Sequence, residues 1–207
     1  ATRHISGTDY NLIADSPSGD AQHVVVVDAH LDSIYGAGIL DNGSGSATIL
    51  EIALKLAHTP TRNRLRFIWF GGEELGLLGS KYYTRNLAAD ELQRIAFDFD
   101  ADVTATPNFD YLVADPAHAR NVDLFPPNVV PDSRIGKQFL HEYFSAVGAP
   151  LQSAWFGNSG TDSNAFSRVG VPNTGILTQQ NCCKKSWEVK VWGGRSEEHT
   201  SELQSQF

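Results

Sequence analysis

The chain is 207 residues long, enough for one domain with a substantial core and short for two. Hydrophobic residues make up 41% and charged residues 19%, which excludes a disordered chain, and the longest apolar run, His23 to Ala29, is far shorter than the roughly 18 residues of a membrane-spanning helix. Sixteen Lys and Arg against 24 Asp and Glu give a net charge of −8 without a basic cluster, which argues against a nucleic-acid partner.

His23 to Ala29 (HVVVVDA) is a β-branched run that predicts a strand buried on both faces of a parallel or mixed sheet. A Gly-rich loop follows. From Ser46 to His58 helical spacing puts Ile49, Leu50, Ile52, Ala53, Leu54, Leu56 and Ala57 on one broad face, and Pro60 ends the pattern. Arg64 to Gly71 (RLRFIWFG) predicts a second buried strand, and GGEELGLLGSKYYTRNL turns helical in its second half. Ile95 to Val103 alternates strictly, with Ile95, Phe97, Phe99, Ala101 and Val103 on one side and Asp98, Asp100 and Asp102 on the other. Phe109 to Val113 is expected to pair with this strand, Asp132 to Val147 to form a helix and Val171 to Thr178 a late strand. Alternating strands and helices predict an α/β sandwich with helices on both faces of the sheet. From Arg195 the chain turns polar and aperiodic, and RSEEHTSELQS resembles the in-frame translation of a sequencing-library adapter. Residues 195–207 are therefore expected to be a non-native tail, and residues 1–194 a single domain. The two cysteines are adjacent, Cys182 and Cys183, so no disulfide framework or CxxC zinc site can be built.

Ligands of open α/β sheets bind beyond the carboxyl ends of the strands. After the first predicted strand come His30 and Asp32 in AHLDS, then Asp41 in GILDNGSG; after the second come Glu73 and Glu74; the acid-lined strand ends at Asp102. One imidazole and five carboxylates, with no thiolate, make a nitrogen and oxygen donor set suited to zinc, manganese or cobalt. Taken singly, each has a structural alternative. A strand-end His can be a hydrogen-bonded structural residue, whereas the HxD spacing would let Asp32 fix the tautomer of a metal-binding histidine. Asp41 before Asn-Gly suits a turn or helix cap, and Glu73-Glu74 suits a helix dipole. Asp98, Asp100 and Asp102 repel one another unless solvated or bridged by a cation, and solvation is expected for at least two of them. GLLGSK lacks the adjacent Gly-Lys of a phosphate loop and GNSG the spacing of a nucleophile elbow, so neither an NTPase nor a serine hydrolase is expected.

Together, AHLDS (29–33), GILDNGSGSATILEIA (38–53), RFIWFGGEELGLLGSKYY (66–83), DADVTATPNF (100–109) and GTDSNAFSRVGVPNTGIL (160–177) resemble the M28 metallopeptidase family, secreted aminopeptidases of the Streptomyces type. The resemblance runs from about Asn11 to Gly194, and EELGLLGS is its most specific block. It implies a zinc exopeptidase-like three-layer sandwich around a mixed, mostly parallel sheet. It also implies two metal ions, usually zinc, bridged by Asp41, with His30 and Asp102 completing one and Glu74 on the other. Glu73 would be the general base and Asp32 the partner that orients His30. Asp102 is favoured over Asp98 and Asp100 because the TPN that follows matches the family's SPN. The implied substrate is a peptide with a free N-terminus, which loses apolar residues, and the implied location is extracellular. The family draws a further His for the second metal from beyond a WGG-like stretch. Here Val191–Gly194 runs into the polar tail, where His199 stands without the flanking pattern. An impaired or non-catalytic domain lacking that ligand is therefore one alternative expectation. A glutaminyl-cyclase-like acyltransferase using a similar fold and one zinc is another, although the Glu73-Glu74 pair and Asp41 in DNGSG lean toward a peptidase.

Overall fold

The computed structural model describes residues 7–34, 36–116, 126–154, 160–178 and 184–194. The valine run lies inside β2 (Asp20–His30), flanked on one side by β3 (Asn63–Phe70) and on the other by β4 (Ile95–Ala101), both parallel to it. With strands on both edges and helices above and below, β2 has no solvent side, so its apolar residues run on instead of alternating. β1 (Leu12–Asp15) pairs antiparallel with β3; β7 (Asn173–Leu177) pairs parallel with β4; β5 (Leu112–Ala114) lies antiparallel to β7 and parallel to β6 (Gln152–Ala154). The sheet order is β1-β3-β2-β4-β7-β5-β6, mixed and mostly parallel as expected.

Helices cover both faces. α1 (Gly43–Leu56) packs Ile49, Ile52 and Ala53 against Val27, Ala29, Phe67, Phe99 and Ala101. On the opposite face Val26, Ile68, Phe70 and Ile95 meet Tyr83 of α2 (Leu78–Asn86), Leu92 of α3 (Ala89–Arg94) and Phe166 of α5 (Ser163–Arg168). The rings of Phe70, Tyr83 and Phe166 form a mutual trio with centroids 5.9, 6.0 and 6.1 Å apart, which pins the end of β3 between two helices. α4 (Val130–Ala146) approaches the sheet closely at Gly136, where a Cβ would collide with the ring of Phe97 and crowd Thr174. α6 (Ser186–Trp192) is the last described element.

Several expectations change. α1 begins at Gly43 rather than Ser46 because Asn42 caps it, and its buried stripe is narrower than the broad face predicted, leaving Leu50 and Leu54 exposed. The strict alternation of β4 fails at its start: a bulge separates Ile95 from Phe97, so Ile95 packs under α2 and α3 while Phe99 and Ala101 face α1. The segment after Phe109 does not pair with β4, because β7 occupies that edge and β5 adds to the far side of β7. β1, an edge strand with all four side chains exposed, carries no apolar period and was not expected. Cys182, Cys183, His199 and the whole of 195–207 lie outside the described residues.

Because β2, β3, β4 and β7 are parallel, their carboxyl ends, at His30, Phe70, Ala101 and Leu177, meet along one edge of the sheet.

Candidate metal centre

His30, the final residue of β2, is only 2% exposed. Its Nδ1 is 3.0 Å from the main-chain carbonyl of Asp32. A carbonyl only accepts, so Nδ1 carries the proton and Nε2 is left to face the site. Around Nε2 stand Asp41 Oδ1 at 3.0 Å, Asp102 Oδ1 at 3.4 Å and Glu73 Oε2 at 4.0 Å. One ring nitrogen cannot satisfy three carboxylates by hydrogen bonding. The two shorter separations instead bracket the roughly 3.3 Å expected between neighbouring donors on a tetrahedral zinc with bonds near 2.05 Å. Asp41 Oδ1, Asp102 Oδ1 and Glu74 Oε1 are buried with no hydrogen-bond partner among the described residues, a costly arrangement that a cation offsets. Two overlapping groups, His30 with Asp41 and Asp102, and His30 with Glu73 and Glu74, each bring their donor atoms within 4.8 Å of one another. The donors present therefore fit zinc. Among the described residues no second His or any Cys joins these groups.

The local chain explains the convergence. The Asp32 carboxylate lies 3.6 Å from His30 Nδ1, farther than its own carbonyl, and accepts the amides of Glu73 at 2.9 Å and Glu74 at 3.1 Å. It thus ties the loop after β3 to the loop after β2. Glu73 and Glu74 sit in a turn whose Glu73 carbonyl accepts from the Gly76 and Leu77 amides, and α2 starts only at Leu78, so the helix-dipole explanation for this pair does not hold. Nor does Asp41 cap α1; Asn42 does, and the Asp41-Asn42 peptide is cis. Gly45 in the first turn is required, since a Cβ there would collide with Asn42 and with the Ala101 carbonyl. Asp102 lies just past β4 and is followed by Val103 at φ +50°, a left-handed conformation costing a β-branched residue about 1–3 kcal/mol.

The electrostatics show a site that draws positive charge. Burial, the largest influence on His30, disfavours its protonation, but the negative oxygens of Asp102, Asp32 and Asp41 overcome it and hold the imidazole pKa well above its ordinary value. Burial pushes Glu73 up to about 8; His30, when protonated in the absence of a metal, opposes this, and the charges of Asp162, Asp102 and Glu74 reinforce it. Burial and the charge of Asp41 push Glu74 up to about 7. Asp102 is raised by burial. Asp32 moves the other way: burial opposes, and the nearby His30 ring together with hydrogen bonds from the Glu73 and Glu74 amides brings it below the usual carboxylate range. Three residues escaped the sequence reading. Along the chain Asn42 reads only as part of a turn, Asp28 only as a member of the β-branched run, and Asp162 is given no role; its side chain makes no capping bond to α5.

Asp98 and Asp100 are not solvated as expected: they are 0% and 3% exposed, with Asp28 (0%) opposite Asp100 in the ladder. Helices roof this face of the sheet, leaving water no route to the carboxylates. Burial, then mutual repulsion among Asp28, Asp98, Asp100 and Asp162, raises the first three well above the carboxylate range. A group that binds its proton more tightly folded than unfolded makes stability fall as pH rises from the unfolded pKa, about 3.9, toward the folded value. Asp98→Asn, whose amide can donate to Asp28, is expected to stabilise the chelated protein by about 1–3 kcal/mol at pH 8 and not at pH 3.5. Urea unfolding at the two pH values checks this; a gain equal at both, or a loss at pH 8, contradicts it.

Residues 11–201 match the family model described as Peptidase family M28. Leupeptin-inactivating enzyme 1 of Streptomyces exfoliatus is 38% identical over 193 residues, covering 91% of this chain and 40% of the relative. Leucine aminopeptidase 2 of Trichophyton rubrum is 35% identical over 193 residues, 91% of this chain and 37% of the relative. Among solved structures, the zinc aminopeptidase BSAP of Bacillus subtilis superimposes with a TM-score of 0.64 at 27% identity, over 94% of this chain and 46% of that one. The chain thus spans about two-fifths of the length of the curated relatives it matches. With the family model matched along nearly its whole length, this chain belongs to peptidase family M28.

Proposed function

We propose that the chain is the catalytic core of a zinc-dependent aminopeptidase that removes apolar N-terminal residues from peptides. The observation that carries the reading is the set of carboxylate oxygens, Asp41 at 3.0 Å and Asp102 at 3.4 Å, around a histidine Nε2 at donor spacing for zinc. Family membership and the named zinc aminopeptidase support hydrolysis of peptides, and the named leucine aminopeptidase supports an apolar first residue. An extracellular location belongs to the same reading and rests on the family resemblance.

In this reading His30, Asp41 and Asp102 would hold one zinc, and Asp41 and Glu74 would contribute to a second. Bound zinc supplies Lewis acidity, polarising a carbonyl and lowering the pKa of water from 15.7 toward about 7. The remaining work falls to the protein. Glu73, fixed through its amide by Asp32, takes a proton from the attacking water at its carboxylate and passes it to the departing amine. The surplus of acidic groups favours a substrate's terminal ammonium, which makes the geometry that of an exopeptidase.

Hydrolysis of leucyl-arylamide tests this. We expect turnover that chelator abolishes and zinc restores, with the N-acetylated substrate left intact. Turnover indifferent to chelator, or cyclisation of a glutaminyl peptide without release of leucine, would overturn the proposal; the second outcome would point to an acyltransferase.

A further inference from the structure

Asn42 is 1% exposed and its side chain meets three main-chain groups. Its Oδ1 accepts from the Gly45 amide at 2.9 Å and from the Val103 amide at 3.1 Å, and its Nδ2 donates to the Ala101 carbonyl at 3.0 Å. The first of these is a helix cap. The other two have no bearing on the helix: they grip the peptide groups immediately before and after Asp102, some sixty positions along the chain. Asn42 itself follows Asp41. One carboxamide therefore stands between the two carboxylates nearest His30 Nε2 and fixes the backbone that carries each. It also steadies the left-handed Val103, whose carbonyl accepts from the Thr178 amide at 2.9 Å and hydroxyl at 2.8 Å, so the turn after Asp102 is held from two sides.

We infer that Asn42 is the positioning residue of the metal centre, setting the separation of Asp41 from Asp102. The chemistry demands asparagine. A carboxylate could accept both amides but would face the Ala101 carbonyl oxygen with like charge, and a serine could cap α1 but not reach across to β4. Gly45 belongs to the same device, since a side chain there would intrude between Asn42 and Ala101.

This inference rests on the reading that His30, Asp41 and Asp102 bind zinc, and the test separates the two. The full chain and its Asn42→Ser and Gly45→Ala variants are stripped with chelator and titrated with zinc in a competitive calorimetric assay; their cobalt(II) absorption spectra and melting temperatures are recorded alongside. Asn42→Ser keeps the cap on α1 and loses the grip on β4. It is expected to weaken zinc binding about ten- to a hundredfold and to alter the cobalt spectrum, with far-UV circular dichroism unchanged. Gly45→Ala is expected to act in the same direction and gives a second readout if the serine variant fails to fold. Variants with wild-type zinc affinity and cobalt spectrum but lower melting temperature would reduce Asn42 to a helix cap and overturn the inference alone. A wild-type chain that binds neither ion would overturn the metal reading and this inference with it.

Discussion

Glu73→Gln is expected to lower kcat for leucyl-arylamide by about 10²- to 10⁴-fold while zinc affinity stays within about twofold of wild type. The residue stands beside the donor set but farther from His30 than the nearest carboxylates. Its Oε2 lies 4.0 Å from His30 Nε2, beyond the 3.0 and 3.4 Å of Asp41 and Asp102, and its amide is held by Asp32. Glutamine keeps that amide bond and the side-chain shape but has no site for the proton taken from water. Calorimetric zinc titration beside kinetic assay decides the outcome. Parallel loss of zinc and rate would make Glu73 a ligand, and an unchanged rate would remove it from catalysis. Activity requires Glu73 ionised, so the rate rises with pH through its pKa. Because Asp162 helps to raise that pKa, Asp162→Asn should move the acid limb of the profile to lower pH.

Asp41→Asn should abolish zinc binding and bring hydrolysis to background. Asp41 Oδ1 is buried, has no hydrogen-bond partner among the described residues and is the carboxylate oxygen nearest His30 Nε2. The neutral amide removes one negative donor from a set in which charge, not packing, makes the site. Two consequences for stability follow with opposite signs. In wild type, zinc at a hundred times its Kd adds about 2.7 kcal/mol, which for a domain of this size raises Tm by about 5–10 °C, and chelator reverses this. In the variant, zinc and chelator should leave Tm unmoved, while the chelated variant melts no lower than chelated wild type because like charges have been thinned. Calorimetric melting of the four samples reads all of this. A zinc-dependent rise in Tm persisting in Asp41→Asn would show that the binding energy comes from other residues.

The elements with strong local signals were legible in one dimension. The Val24–Val27 run, the amphipathic stretch from Ser46, the RLRFIWF segment and the long helix near Asp132 each carry a period or a β-branched density that local physics reads directly, and each became an element of the expected kind. Strand alternation with helices then dictated a mostly parallel sheet, and a parallel sheet dictated where loops converge. That is why His30, Asp32, Asp41, Glu73, Glu74 and Asp102 could be named from their places after strands. The edge strand β1 and the partner of β5 were not legible, since edge pairing depends on which segment the tertiary fold brings beside the open ladder rather than on a pattern in either segment.

The sequence by itself determined the donor chemistry, nitrogen and oxygen without sulfur, and the element ends from which those donors project, because composition and periodicity are local properties. Only the tertiary structure decided three other matters. It buried Asp98 and Asp100 under helices, gave Asp32 its task of holding the Glu73-Glu74 loop, and set a single asparagine between Asp41 and Asp102. Each of these turns on contacts between residues tens of positions apart, whose distances no period along the chain encodes.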